Sequence, residues 1–296
     1  MRIEKKATLI SSSTAALLVT IKMIVGVMSG SIAILASAVD SFLDLLVSIF
    51  NYFALHQSEK KADAQFNFGR GKLEAIAAVI EGSIISVSGL FISYNAVMKL
   101  IDPKPIAYMD ISLMVMGVSI VITGALVVFL LSVAKKSNNL VIRADALHYQ
   151  TDLYTNGAIL IALAVIHFTE YEIIDPLLGI AISIYMIYSA YPIIKEGFLM
   201  LMDIALDDDE VKKIEDYIDS AEDITSYHHL TTRRSGSDIF ITVHVVYTVS
   251  ISLYDAHRIS DRIEEGIKGL FDEDERVHTF MHMDPYDDSD MNEEEH

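Results

Sequence analysis

The chain has 296 residues, 52% of them hydrophobic, and a mean hydropathy of +0.39, too apolar for an ordinary water-soluble domain. It contains no cysteine, which excludes disulfides and thiolate metal ligands. The net charge of −19 is unevenly placed: residues 1–202 hold 15 acidic and 14 basic side chains, residues 203–296 hold 26 and 8, and no basic footprint for nucleic acid exists.

The nearly neutral region contains six apolar stretches, roughly 8–29, 32–55, 74–98, 108–134, 146–168 and 173–195. Each has about the 20 residues needed to cross a bilayer core of ~30 Å. The first is not read as a cleaved signal, because no convincing small-residue cleavage site follows a short apolar core and a second span comes at once. Arg2, Lys5 and Lys6 precede span one; Lys60, Lys61, Arg70 and Lys72 separate spans two and three; Lys135, Lys136 and Arg143 separate four and five. The opposite loops offer only Lys99 and Lys104. The positive-inside rule therefore predicts six spans with both termini cytoplasmic.

Ionisable groups within a span cost about 2.5–3.5 kcal/mol each on insertion scales and mark a transport path or relay by default. Span two carries Asp40 and Asp44, span five His148 and Asp152. Both pairs are spaced i, i+4, so each occupies one helix face, about one turn apart. Three carboxylates and one imidazole converging from two helices form a four-ligand set suited to zinc or a similar divalent ion. Asp145 reads differently, as an interfacial carboxylate beside Arg143. Asn51 and Asn156 lie further along the same faces. They are expected either to line a polar path or to bond between helices.

From Asp207 the pattern changes. "DDDEVKKIEDYIDS" is an amphipathic helix, a strand is expected around Ile224–Thr232, and "SDIFITVHVVYTV" alternates as a strand does. "SLYDAHRISDRIEEGIKGLF" is helical with Ser252 as N-cap, and "ERVHTFMHMD" returns to strand. The order αββαβ implies a small α+β sandwich with helices on one sheet face. Residues 289–296 read as a disordered acidic tail. His228, His229, His244, His257, His278, His282 and Asp284 fall in this domain, and several can converge at one sheet edge as a metal site. Strand alternation predicts that His228 and His229 face opposite ways, so that one of them ligates.

Six spans, "D-x-x-x-D" in the second, "R-A-D-x-x-H-Y-x-T-D" in the fifth, "H-x-D-P" near the end and the histidine-bearing tail resemble the cation diffusion facilitator family, in particular its bacterial zinc and ferrous-iron efflux branch. The resemblance covers about residue 5 to Pro285. It implies a six-helix transmembrane bundle followed by a metallochaperone-like αββαβ cytoplasmic domain. The implied domain bounds are 1–202 for transport, 203–288 for metal binding and dimerisation, and 289–296 for the tail. It also implies a transport site at Asp40, Asp44, His148 and Asp152 and a cytoplasmic binuclear site at His228, His244, His257, His282 and Asp284. "HHLTTRRSG" aligns so as to select His228 over His229, while His278 has no counterpart and is expected at the surface. A charge interlock coupling membrane and tail falls on Lys72 and Asp203, for which solvated rim charges are the alternative.

One segment departs from the family. In "KADAQFNFGRGK" Asp63 matches a peripheral metal site, but Phe66 and Arg70 stand where histidines would be, so that site is expected to be absent or badly weakened. Glu81 in span three falls at a position uncharged in the relatives, and the resemblance gives no account of it.

The expected function is divalent metal efflux: a zinc(II)/proton antiporter working by alternating access as a homodimer. The expected partners are divalent ions, protons and the lipid bilayer, with no nucleic acid. Zinc(II) is expected as transported substrate and as regulatory ligand of the tail, with no organic cofactor. The competing expectations are an iron(II), cadmium, cobalt or nickel exporter and a non-transporting, membrane-anchored metal sensor. A scaffold has no reason to bear the insertion cost of the quartet. An embedded metallohydrolase would need an open ligand position and a separate base, such as H-E-x-x-H, which is absent. The loop "KKSNNL" between spans four and five is short, unlike the histidine-rich loop of eukaryotic vesicular relatives, which favours a bacterial inner membrane.

Overall fold

The computed structural model describes residues 3–29, 32–102, 110–137, 139–169, 173–272 and 275–287. Lys104 and the acidic tail expected over 289–296 lie outside them. The chain divides into two compact units, with the boundary between Phe198 and Leu199.

The first unit is built from helices α1 (Ile3–Ser29), α2 (Ile32–Ser58), α3 (Lys72–Ile101), α4 (Asp110–Ser137), α5 (Leu140–Thr169) and α6 (Ile174–Leu201). Among the described residues, α1, α2, α3, α4 and α6 each hold a stretch long and apolar enough to cross a membrane. The first half of α5 carries Arg143, Asp145, His148 and Asp152, and its apolarity is broken there. Helix α1 runs along α2, α4 along α5, and α3 packs on both α2 and α5.

Small residues let these helices approach closely, as expected where lipid supplies no hydrophobic drive between helices. Ala78, Ala144 and Ala190 join α3, α5 and α6 in one buried cluster with Ile85 and Met186. A Cβ at Gly82 would stand 2.7 Å from Ile194, and one at Gly197 would stand 2.7 Å from Val79 and 3.1 Å from the Ala75 carbonyl. Glycine is what permits the α3–α6 contact.

The second unit continues with α7 (Asp208–Asp219), β1 (Ser226–Ser235), β2 (Asp238–Val246), α8 (Leu253–Lys268) and β3 (Arg276–Asp284), the αββαβ order read from the sequence. The sheet order is β1-β2-β3, with β1 antiparallel and β3 parallel to β2. Gly236, at φ 61°, opens the two-residue hairpin between β1 and β2, a position that favours glycine. Ser252 caps α8, its Oγ accepting from the Asp255 N–H at 3.1 Å. Ile239, Ile241, Val243 and Val245 alternate along β2 and pack with Ile214 and Ile218 of α7 and Ile263 and Ile267 of α8. One sheet face is thus filled by the helices, and the alternate positions, including His244, lie on the other.

Candidate metal centres

In the bundle, α2 supplies Asp44 and α5 supplies His148 and Asp152. One ligand atom from each lies within 4.8 Å of the other two. His148 Nε2 is 3.3 Å from Asp44 Oδ1 and 3.8 Å from Asp152 Oδ2. Zinc bonds of ~2.0–2.2 Å in a tetrahedral site put neighbouring ligand atoms roughly 3.3–3.5 Å apart, so the first distance already matches and the second needs a small closure. The i, i+4 spacing on α5 places His148 and Asp152 one above the other, facing α2. Asp40, one turn earlier on α2, is exposed and stands outside this three-residue group.

The surroundings correct one expectation. Asp145 is not a rim partner of Arg143. Its residue is 0% exposed, while Arg143 Nη1 reaches both oxygens of Glu196 at 2.7 Å. A carboxylate two residues from an arginine on a helix points away from it, because neighbouring side chains diverge by about 200°. Of the two asparagines, Asn51 bonds between helices, donating to Glu81 Oε2 at 2.9 Å. Asn156 donates to the Asp152 carbonyl of its own helix at 2.8 Å.

Two charged residues beside the site carry no motif. Lys22 of α1 is buried, its Nζ donating to Ser41 Oγ at 2.7 Å, one residue from Asp40 and three from Asp44. Glu81 is buried as well. The only sequence signal for either is that it is an ionisable side chain within an apolar run.

In the second unit, His228, His244 and His282 stand in register across the three strands. His244 Nδ1 is 2.9 Å from Asp284 Oδ2, and His228 Nε2 is 3.6 Å from the same oxygen. These three residues form the second compact group of ligand atoms. His282 borders it, with its ring 4.5 Å from that of His244 and its Nε2 3.8 Å from Asp284 Oδ1.

The expected divergence of His228 and His229 does not occur. A register shift between His228 and Thr231 and a left-handed φ of 49° at His229 break the alternation. The ring of His229 lies 4.9 Å from His228 and 5.4 Å from His244.

His257 stands apart, its side chain 67% exposed and 3.7 Å from Asp261. It belongs to α8, which packs on the opposite sheet face, so one chain does not bring it to the group. His278 sits 2.8 Å from Asp238 and is half exposed, outside the cluster.

Two family models divide the chain between them. "Cation efflux transmembrane domain" matches residues 8–202, and "Cation efflux protein, cytoplasmic domain" matches residues 206–286. The chain belongs to the cation diffusion facilitator family. Cation-efflux pump FieF of Escherichia fergusonii is 35% identical over 96% of this chain and 93% of its own length. The protein of the same name from Escherichia coli is 34% identical over the same shares. As a member of the cation diffusion facilitator family the protein is a cation-efflux transporter and not an enzyme, a multi-pass membrane protein with five or six spans.

The loop that departs from the family pattern is closed on itself. Arg70 Nη2 donates to Asp63 Oδ2 at 2.6 Å, and the N–H groups of Gln65 and Phe66 donate to Oδ1 at 2.9 and 2.8 Å. The guanidinium also lies over the Phe66 ring at 4.2 Å. First the Phe66 N–H, then Arg70 and the Gln65 N–H, hold the Asp63 carboxyl below the usual carboxylate range.

Proposed function

We propose that the protein exports a divalent metal cation as a zinc(II)/proton antiporter, working by alternating access as a homodimer. The observation that carries this reading is the Asp44–His148–Asp152 group within a bundle of membrane-spanning helices. Asp40, one turn away, is the fourth ligand when the α2 and α5 faces close. A metal requires deprotonated carboxylates and a neutral imidazole, so metal and protons compete for the same atoms. That competition provides the differential affinity without which no ligand can bias one access state over the other. Histidine, with a reference pKa of about 6.5, is the member suited to exchange a proton near neutral pH.

Six crossings with both termini cytoplasmic, in a bacterial inner membrane, follow from the lysine and arginine distribution. Residues 1–202 form the transport domain and 203–288 the metal-binding and dimerisation domain. There zinc(II) is a regulatory ligand of His228, His244, His282 and Asp284. His257, on the far sheet face, is available to a second copy of the chain. Within the second unit Asp203 accepts from Arg233 Nη1 at 3.0 Å.

The test is uptake of zinc, cadmium, iron(II), cobalt, nickel and manganese into reconstituted vesicles at two imposed pH gradients. Zinc uptake that follows the gradient and disappears in Asp44→Ala supports the reading. Uptake indifferent to the gradient, or intact in Asp44→Ala, overturns it.

A further inference from the structure

Among the described residues, the bundle's most heavily buried carboxyl groups, Glu81 and Asp145, are outside the transport group and have a buried asparagine beside them. Asn51 of α2, Glu81 of α3 and Asp145 of α5 are 0%, 1% and 0% exposed. The Asn51 amide donates to Glu81 Oε2 at 2.9 Å. Asp145 and Glu81 interact electrostatically, and Ser11 and Asn51 lie beside Asp145. After that one hydrogen bond, four buried oxygens accept none of good geometry: Asn51 Oδ1, Glu81 Oε1 and both oxygens of Asp145. The second N–H of Asn51 remains within reach of the Asp145 carboxyl, and His148 interacts electrostatically with both carboxyls; the other neighbouring donors are committed elsewhere. The Ser11 hydroxyl bonds the Thr8 carbonyl at 3.1 Å, Arg143 holds Glu196, and Lys22 holds Ser41. His148 Nε2 faces Asp44 and Asp152.

Burying a carboxylate without a donor or counter-charge costs several kcal/mol, and two near each other add repulsion. All four orphaned atoms are acceptors, so what they lack is a cation or a proton shared between the carboxyls. Two carboxylates and an amide carbonyl from three helices make a hard, all-oxygen set, the kind that takes magnesium, calcium, manganese and other oxygen-preferring divalent ions.

Its place along the helices gives it a role. Asp145 is three residues before His148, and Asn51 is seven after Asp44. The cluster therefore lies on the same two faces, roughly 5–10 Å nearer the bundle end where α2 stops and α3 starts. Glu74, seven residues before Glu81 on α3, marks that end, accepting from Ser58 and Asn139 at 2.7 Å each.

We propose that Glu81, Asn51 and Asp145 form a second, all-oxygen binding station for the divalent cation, between that end of the bundle and the transport group. The role in transit rests on the transport reading; the binding itself does not.

The experiment uses the full-length protein in detergent with both known candidate groups disabled by Asp44→Asn, Asp152→Asn, His244→Ala and Asp284→Ala. Manganese(II) is the probe, read by electron paramagnetic resonance of the bound ion. This background retains one manganese per chain, and adding Glu81→Gln with Asp145→Asn removes it. Both changes keep side-chain shape while deleting charge. Asn51→Asp, which adds a third carboxylate, tightens binding roughly tenfold and gives an independent gain-of-function arm. Equal manganese binding with and without Glu81 and Asp145, together with no gain in Asn51→Asp, overturns the proposal and leaves the pair as a holder of protons. Because binding is read with the transport group disabled, this result stands apart from any failure of the transport reading.

Discussion

His148 Nε2 and Asp44 Oδ1 face each other across the α5–α2 interface at 3.3 Å, the edge length of a tetrahedral zinc site. His148 is the single nitrogen in the proposed quartet and sets its softness. Replacing it with Asp leaves four oxygens, which favour harder ions. His148→Asp is expected to lower zinc transport relative to manganese transport by about tenfold or more. Competition uptake in vesicles measures the ratio, and an unchanged ratio removes the histidine from metal selection.

In the tail, the contact of His244 with Asp284 is the shortest of the group at 2.9 Å, and Asp284 is buried. His244→Ala with Asp284→Ala removes two of three converging ligands. We expect zinc to stabilise the dimer in the parent protein and to lose that effect in the variant, as read by native mass spectrometry across a zinc titration. Equal dimer fractions in both proteins contradict a metal-linked interface.

Asp63 is an exposed carboxylate that titrates below the usual range because Phe66, Gln65 and Arg70 donate to it. Its folded value lies below its unfolded value of about 3.9. The loop contacts therefore contribute fully above pH of about 4 and are lost as pH falls through the depressed folded value. Carboxyl-carbon NMR of selectively labelled protein should place its midpoint below that of the other exposed aspartates; a midpoint at or above about 4 contradicts the hydrogen-bonded loop. Substituting both Phe66→His and Arg70→His removes the guanidinium and offers two imidazoles, and is expected to add one bound zinc per chain by equilibrium dialysis.

Gly82 allows α3 to lie against α6 near Ile194. Gly82→Val forces that contact apart at a cost of about 1–3 kcal/mol. Thermal inactivation in detergent should come at a lower temperature than in the parent, and unchanged inactivation contradicts the close packing.

Hydropathy made the spans legible because lipid demands length and apolarity alone. The i, i+4 spacing of His148 and Asp152 made their shared helix face legible, because helix geometry converts spacing into a face; Asp40, spaced the same way from Asp44, stands outside the group that α2 and α5 bring together. The tail order was legible from a change in hydrophobic period. What failed depended on local backbone or on tertiary partners. His229 broke the alternation because one left-handed residue at a bulge rotates the following positions. Asp145 was misplaced because sequence proximity to Arg143 says nothing of which helix face each occupies; Glu196, 53 residues away, is the actual partner. Asn51 and Glu81 come from different helices 30 residues apart, and no short pattern connects them. His257 falls on a helix behind the sheet, a separation visible only once the faces of that sheet are assigned.

The proposed transport depends on exchange of metal for protons at one intramembrane group. The most direct measurement is proton release from reconstituted vesicles when zinc is added on the side of net uptake, with no imposed pH gradient, in the parent protein and in Asp152→Asn. The account predicts a zinc-dependent counterflow of protons in the parent and a loss of about a hundredfold or more in the variant. Zinc movement without proton counterflow in the parent, or undiminished counterflow in Asp152→Asn, contradicts it.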